Sequence, residues 1–179
     1  MIGLVLRKVI LQKDIPELYK MMTGDDQYLF SVKIIANSEQ QFRDWLCERL
    51  KYEFHDFYML ISGKDGHAIG YAHNYDFSLQ NGHCKIVVYL IKKYRNTGIG
   101  GIGAVQFIDR LFQIYPLRKV YTAVYDYNSC SLINNQKAGF MEEGVLQKYR
   151  YYNGEYHGLH ILSIDKQTFY SSFGGVLHQ

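Results

Sequence analysis

Cysteine and proline are scarce in this chain, with three and two respectively in 179 residues, and their scarcity excludes several kinds of protein. Cys47, Cys84 and Cys130 are odd in number and share no metal-ligand spacing, so they read as reduced thiols rather than as disulfides or a zinc site. No linker rich in proline, glycine or serine, internal repeat or low-complexity tract divides the sequence, and residues 1–179 read as a single domain. A chain of that length buries about two thirds of its extended surface on folding. No apolar run approaches the roughly 20 residues of a membrane helix, and the N-terminus lacks the basic region, apolar core and cleavage pattern of a signal peptide. A cytoplasmic location without a membrane partner is therefore expected. A strong charge excess is missing too, since a formal net charge of +3 is too small to argue for nucleic acid.

What is abundant is tyrosine, 17 residues, clustered at Tyr125-Asp126-Tyr127 and Tyr149-Arg150-Tyr151-Tyr152. Tyrosine suits a half-buried pleat, so strand packing is the first reading and an aromatic substrate cage the second. The most informative stretch is Arg95-Asn96-Thr97-Gly98-Ile99-Gly100-Gly101-Ile102-Gly103. It joins an apolar strand, Lys85 to Ile91, to a segment with helical apolar spacing, Ala104 to Tyr115. Gly98, Gly100 and Gly103 spell the dinucleotide fingerprint G-x-G-x-x-G, whereas Arg95, Gly98 and Gly100 spell R-x-x-G-x-G, similar to the pyrophosphate loop of acetyl-CoA-dependent acetyltransferases. Both readings rest on the same physics. Glycines let backbone N–H groups approach an anion, and the helix that follows adds its positive end.

The context separates them. In a dinucleotide fold the first glycine comes almost directly off the strand, but here Lys92 to Thr97 intervene. Asp126, after the run Lys119 to Tyr125, could serve as the acidic residue of that fold, so this test does not exclude it. Upstream, however, Phe57–Ser62, Ala68–Phe77 and the strand before the loop are joined by turns at Gly63-Lys64-Asp65-Gly66 and Gln80-Asn81-Gly82. That is an antiparallel meander rather than a βαβ unit.

With these features the chain resembles the GNAT superfamily of N-acetyltransferases over nearly its whole length. Leu4–Arg7 fits a first strand and Asp14–Tyr19 a first helix with Asp14 as its cap. Ser38 with Gln41 fits a capping box for a helix through Trp45 and Leu50. Asn128-x-x-Ser131 opens a helix that closes at Lys137-Ala138-Gly139-Phe140, with Gly139 suited to a left-handed cap. A late hairpin from Tyr149 to Ile164 turns at Asn153-Gly154. This order looks like the branch containing the ribosomal-protein N-terminal and spermidine acetyltransferases.

The resemblance implies an α/β fold of mixed α+β character, with a mostly antiparallel mixed sheet splayed at the acetyl-CoA site and flanked by helices. It also implies acetyl-CoA as co-substrate without a metal, and direct acetyl transfer to a primary amine in a ternary complex. Arg95, Asn96, Thr97, Gly98, Ile99, Gly100 and Gly101 would cradle the pyrophosphate, leaving Gly103 to helix packing. The backbone of Tyr89, Leu90 and Ile91 would hold the pantetheine and the acetyl carbonyl, with Asn128 on the pantetheine arm. Many relatives place a tyrosine four residues before the glycine of the Gly-Phe pair as the acid; this chain has Asn135. Ser131 is then the candidate for protonating the departing sulfur, or it is simply a first-turn serine. Relatives often carry a glutamate base near the start of the strand before the loop, where this chain reads His83-Cys84-Lys85. His83 and His73 are the nearest groups able to titrate near neutrality; Asp76, Glu53 and Asp56 could hold an ammonium, and proton loss through ordered water would need none of them. No cysteine is placed to suggest an acyl-enzyme. The acceptor stays open between a protein N-terminal amine and a small polyamine or aminoglycoside-type amine: an acidic pocket would select the polyamine, an open groove the peptide. The missing tyrosine and glutamate also leave a non-catalytic acyl-CoA-binding regulatory domain as an alternative, and a dinucleotide oxidoreductase as a remainder. Relatives often dimerise, which admits a homodimer.

Overall fold

The computed structural model describes residues 3–30 and 34–177. Seven strands form one sheet in the order β1-β2-β3-β4-β5-β7-β6: β1 (Leu4–Lys8), β2 (Phe57–Ser62), β3 (Ala68–Ser78), β4 (His83–Leu90), β5 (Lys119–Tyr125), β6 (Met141–Tyr152) and β7 (Glu155–Asp165). Every neighbouring pair is antiparallel except β4 and β5, which run parallel. The expected mixed, mostly antiparallel sheet is thus present.

Helices cover both faces. On one lie α1 (Leu11–Thr23) and α2 (Glu39–Leu50), joined through a 3₁₀ turn at Asp25–Leu29; on the other lie α3 (Ile99–Ile114) and α5 (Lys166–Leu177), while α4 (Ser129–Lys137) follows β5. In α3 the buried residues Ile99, Gly103, Phe107, Leu111 and Phe112 recur at helical spacing and face the sheet. Gly103 is small for a packing reason: a Cβ there would lie 3.2 Å from the methyls of Leu4 and Leu60. In α1, Ile15, Leu18, Met21 and Met22 do the same for the other face.

Several local expectations hold, with adjustments. Ser38 Oγ accepts the Gln41 N–H, and Gln41 reaches back to the Asn37 N–H rather than that of Ser38. Asp14 is not the residue that caps α1; it lies in the first turn, where its carboxylate accepts the Ile10 N–H at 2.7 Å and pairs with Arg7. Helix α3 begins at Ile99, five residues before the apolar periodicity becomes visible, because Gly100, Gly101 and Gly103 occupy three of its first five positions. The Asn153-Gly154 turn has φ of 50° and 90°, the left-handed pair that a two-residue hairpin requires. α5 and the 3₁₀ turn at Asp25–Leu29 carry no comparable local signal.

Candidate active site

The site begins as a break in a ladder. β4 pairs with β3 from Gly70↔Leu90 down to Ser78↔His83, and β5 pairs with β7 along its whole length. Between β4 and β5, however, the register stops after His83↔Lys119, Cys84↔Val120 and Lys85↔Tyr121. Each strand follows its own antiparallel partner, and sheet twist separates them beyond that point. The gap opens into a cleft of about 940 Å³ between Ile86–Leu90 and Thr122–Val124, bounded by the first turns of α3 and α4, by Tyr28–Phe30 and by Phe169 and Phe173 of α5.

The cleft exposes backbone donors. Ile91 N–H donates to the Ile69 carbonyl at 3.0 Å, so the odd-numbered residues of β4 aim their backbone at β3. By alternation, Val88 and Leu90 aim theirs toward β5, which has already diverged. Of the three positions expected to supply N–H groups, Leu90 therefore faces the opening, while Ile91 is engaged within the sheet and Tyr89 follows its parity. Val88 was missed by sequence reasoning because alternation cannot be phased without the pairing.

At the glycine turn, Gly98 caps α3 with φ of 82°, a left-handed conformation, and Gly98, Gly100 and Gly101 line the cleft. The first N–H groups of a helix have no intrahelical acceptor. Asn96 lines the cleft as well, with φ of 61°. Thr97 is exposed and its hydroxyl donates to the Tyr94 carbonyl; Ile99 is buried against Leu60, Ile69 and Leu90, so neither side chain faces the cleft.

Arg95 lines the cleft but its guanidinium is turned inward. Nε donates to the Leu90 carbonyl at 2.9 Å and Nη2 to Asp26 Oδ2 at 2.5 Å. Asp26 also accepts the Tyr89 hydroxyl at 2.8 Å, and Lys92 Nζ lies 3.8 Å from its other oxygen. Burial alone would push the Asp26 carboxyl up; the hydrogen bonds from Arg95 and Tyr89 outweigh it and hold the group below its ordinary value. The Tyr89 phenol is pushed up to about 12 by burial and by Asp26, so it stays protonated. Sequence reasoning missed Asp26 entirely.

The α4 side carries the remaining expected groups. Asn128 caps α4 through the Ser131 N–H, and both residues line the cleft. Asn135 Nδ2 donates to the Ser131 carbonyl at 2.8 Å and to its Oγ at 3.3 Å, which leaves the hydroxyl hydrogen free to point elsewhere. Cys130, for which no acyl-enzyme role is expected, is exposed on the cleft wall; its thiol donates to Asn96 Oδ1 and accepts from Asn134. Both partners are amides, and neither is the base that a thiolate nucleophile needs.

The expected proton acceptors fall elsewhere. His83 stands at the closed end of the β4–β5 gap, edge-on to Tyr121, and does not line the cleft. His73 is buried, and that burial together with the neighbouring His55 pushes it down to about 3. Asp56 pairs with Lys8 and accepts the Tyr115 hydroxyl at the C-terminal end of α3, about 24 Å of helix from the glycine turn. Asp76 pairs with Lys85, and Glu53 is exposed before β2.

The tyrosine clusters do more than line strands. Tyr28 stacks on Tyr152 with centroids 5.4 Å apart, and Tyr127 packs on Tyr125 and Tyr152. The Tyr127 hydroxyl donates to the Tyr28 carbonyl, tying β5 to the segment that roofs the cleft. No described helix is long and apolar enough to cross a membrane.

Comparison with known proteins agrees with this architecture. The spermidine N-acetyltransferase of Vibrio cholerae, in complex with CoA and spermine, superposes with a TM-score of 0.85 at 16% identity, over 93% of this chain and 97% of that one. A dodecameric structure of the Vibrio cholerae enzyme in an intermediate state gives 0.80 at 15% identity, over 93% and 95%. At such identities the likeness speaks for the fold alone. The SPbeta prophage-derived uncharacterized N-acetyltransferase YokL of Bacillus subtilis (strain 168) is 26% identical over 135 residues, 74% of this chain and 75% of that one. The acetyltransferase (GNAT) domain family matches residues 3–141, from β1 through the splayed strands and both cleft helices. That span includes the opened parallel pair and the glycine-capped helix beside it, and the chain belongs to the GNAT N-acetyltransferases.

Proposed function

We propose that this enzyme takes its acetyl group from acetyl-CoA and delivers it to a primary amine by direct attack in a ternary complex. The acceptor is a protein N-terminal amine or a small polyamine or aminoglycoside-type amine. The observation that carries the reading is the break in the β4–β5 ladder after Lys85, which leaves N–H donors of β4 facing a cleft that ends at a glycine-capped helix. When bound, acetyl-CoA supplies a thioester carbonyl. The turn from Asn96 to Gly100 offers N–H groups and, with Gly101 beside it on the cleft wall, the positive end of α3 to its pyrophosphate. Val88 and Leu90 offer N–H groups to an oxygen that gains charge during attack, which is the arrangement that lowers an acyl-transfer barrier. Asn128 stands where the pantetheine arm would pass.

Ser131 is suited to deliver a proton to the departing sulfur. Its oxygen already accepts from Asn135, so its own hydrogen is available. Ser131→Ala should lower kcat about 100-fold, the low end of what a positioned acid contributes, while changing the KM for acetyl-CoA less than twofold. An unchanged kcat would remove Ser131 from the chemistry. No His, Asp or Glu lines the cleft among the described residues, so ordered water is the acceptor of the ammonium proton in this reading.

Thiol release from acetyl-CoA across a panel of amines tests the activity. Initial velocities should intersect when both substrates are varied; parallel lines, together with loss of activity in Cys130→Ala, would indicate an acyl-enzyme instead. Silence across the panel with acetyl-CoA binding intact would favour the regulatory-domain alternative, whose motivating observation is Asn135 in place of a tyrosine.

A further inference from the structure

Among the described residues, cations line the cleft and no carboxylate does. The charged ones are Lys137 and Arg95, the latter turned inward onto Asp26 at the glycine-loop end. A small pocket continues past Phe30 and Val87, and its charged residue is again a cation, Arg49, set among aromatic and apolar side chains. Nearby carboxylates are engaged: Asp26 by Arg95 and Tyr89, Asp126 by His157 and the Gly158 N–H, Asp76 by Lys85.

The aromatic box beside the cleft is already filled by a cation of the chain itself. The Arg150 guanidinium carbon lies 4.9 Å from the Tyr125 ring centroid and 5.8 Å from that of Tyr152. Its Nη1 donates to the carbonyls of Tyr28 at 3.0 Å and Phe30 at 3.2 Å, residues that line the cleft. Such a box would attract the second ammonium of a polyamine if it were empty. Occupied, it repels that ammonium instead, and the repulsion acts through a partly desolvated wall.

We infer that Arg150 is a specificity-determining residue, which selects an acceptor whose one cation is the reacting amine, the α-amine of a peptide with an uncharged or acidic start, against polyamines. The inference rests on the acetyltransferase reading. It agrees with the carboxylate-free wall, because an α-amine titrates at about 7.7–8.0 and arrives partly neutral, whereas a lysine-like amine at about 10.4 does not.

The test measures thiol release with spermidine and with a peptide of uncharged N-terminal sequence, in the wild type, Arg150→Gln and Arg150→Lys. The wild type should favour the peptide at least 30-fold in kcat/KM. Arg150→Gln, which keeps a donor for the Tyr28 and Phe30 carbonyls but removes the charge, should shift that ratio at least tenfold toward spermidine. Arg150→Lys should keep the wild-type ratio. A ratio of two kcat/KM values cancels the folded fraction, so partial misfolding of a variant does not move it. Spermidine used as well as the peptide by the wild type, or a ratio unmoved in Arg150→Gln, would overturn the inference and leave the acetyltransferase intact. Thiol release with neither substrate would overturn the inference, and silence across the whole amine panel as well would overturn the acetyltransferase reading with it.

Discussion

Gly101→Asp should raise the dissociation constants of CoA and acetyl-CoA at least 30-fold while leaving the melting temperature unchanged or slightly higher. Gly101 is the third residue of α3 and lines the cleft, and a Cβ built on it meets no atom within 4 Å. The protein therefore has room for the side chain. A carboxylate in the first turn of a helix stabilises it by about 0.3–1 kcal/mol, because it faces orphan N–H groups and the positive end of the macrodipole. Those are the groups proposed to receive the pyrophosphate, so the same interaction that helps the fold competes with the ligand and adds like-charge repulsion. A loss of about 2–3 kcal/mol corresponds to roughly 30- to 150-fold in affinity. Calorimetric titration of CoA against the variant, with Gly101→Ala as the neutral control, measures it. Wild-type affinity in Gly101→Asp would place the pyrophosphate somewhere else.

Asp26→Asn should act on the same ligand from a distance. The carboxylate is buried and joins Arg95 of the glycine loop to Tyr89 of β4. Asparagine keeps the shape but removes the charge that Arg95 pairs with, and Arg95, with about a third of its side chain exposed, can turn to solvent. Its hold on the Leu90 carbonyl then loosens at the point where β4 hands over to the loop. The expected cost is about 1–3 kcal/mol of stability, in the range for hydrogen bonds to charged groups, with a melting point lower by roughly 2–12 °C for a chain of this size. The KM for acetyl-CoA should rise about tenfold, more than kcat falls. The sign of the pH dependence follows from the depressed Asp26 carboxyl. Its contribution is fully present above the unfolded-state value of about 3.9 and is lost as pH falls through the lower folded-state value. The stability gap between wild type and Asp26→Asn should thus be flat from pH 6 to 8 and close only in acid. A gap that closed near neutrality would point to a different group.

These two residues divide in how readable they were. The spacing of Arg95, Gly98 and Gly100 marks the loop proposed to hold the pyrophosphate because the requirement is local: a left-handed Gly98 and N–H groups without a Cβ in the way. Asp26 lies 69 residues from Arg95, in a short turn with no periodicity, and no pattern along the chain connects the two. Arg95 shows the same limit from the other side. The motif names it correctly as part of the loop, but only its partners reveal that the guanidinium braces the cleft wall from within. His83 was a candidate base by proximity in sequence to the strand; the register puts it where β4 and β5 are still closed. Cys130 has no metal-ligand spacing or other local signal, and the start of α4 brings it onto the cleft.

The chain alone therefore determined what depends on neighbouring φ/ψ and on capping. The glycine turn, the Asn128 cap, the left-handed Gly139 and the Asn153-Gly154 hairpin are each specified by side chains within a few residues, and their order along the chain was enough to indicate the fold. Tertiary structure alone decided where two parallel strands part, which β4 donors face the gap, and that Arg150 reaches across 122 positions to Tyr28 to fill an aromatic box beside the cleft. Pairing register and charge compensation are properties of groups brought together by folding, and they leave no mark in local spacing.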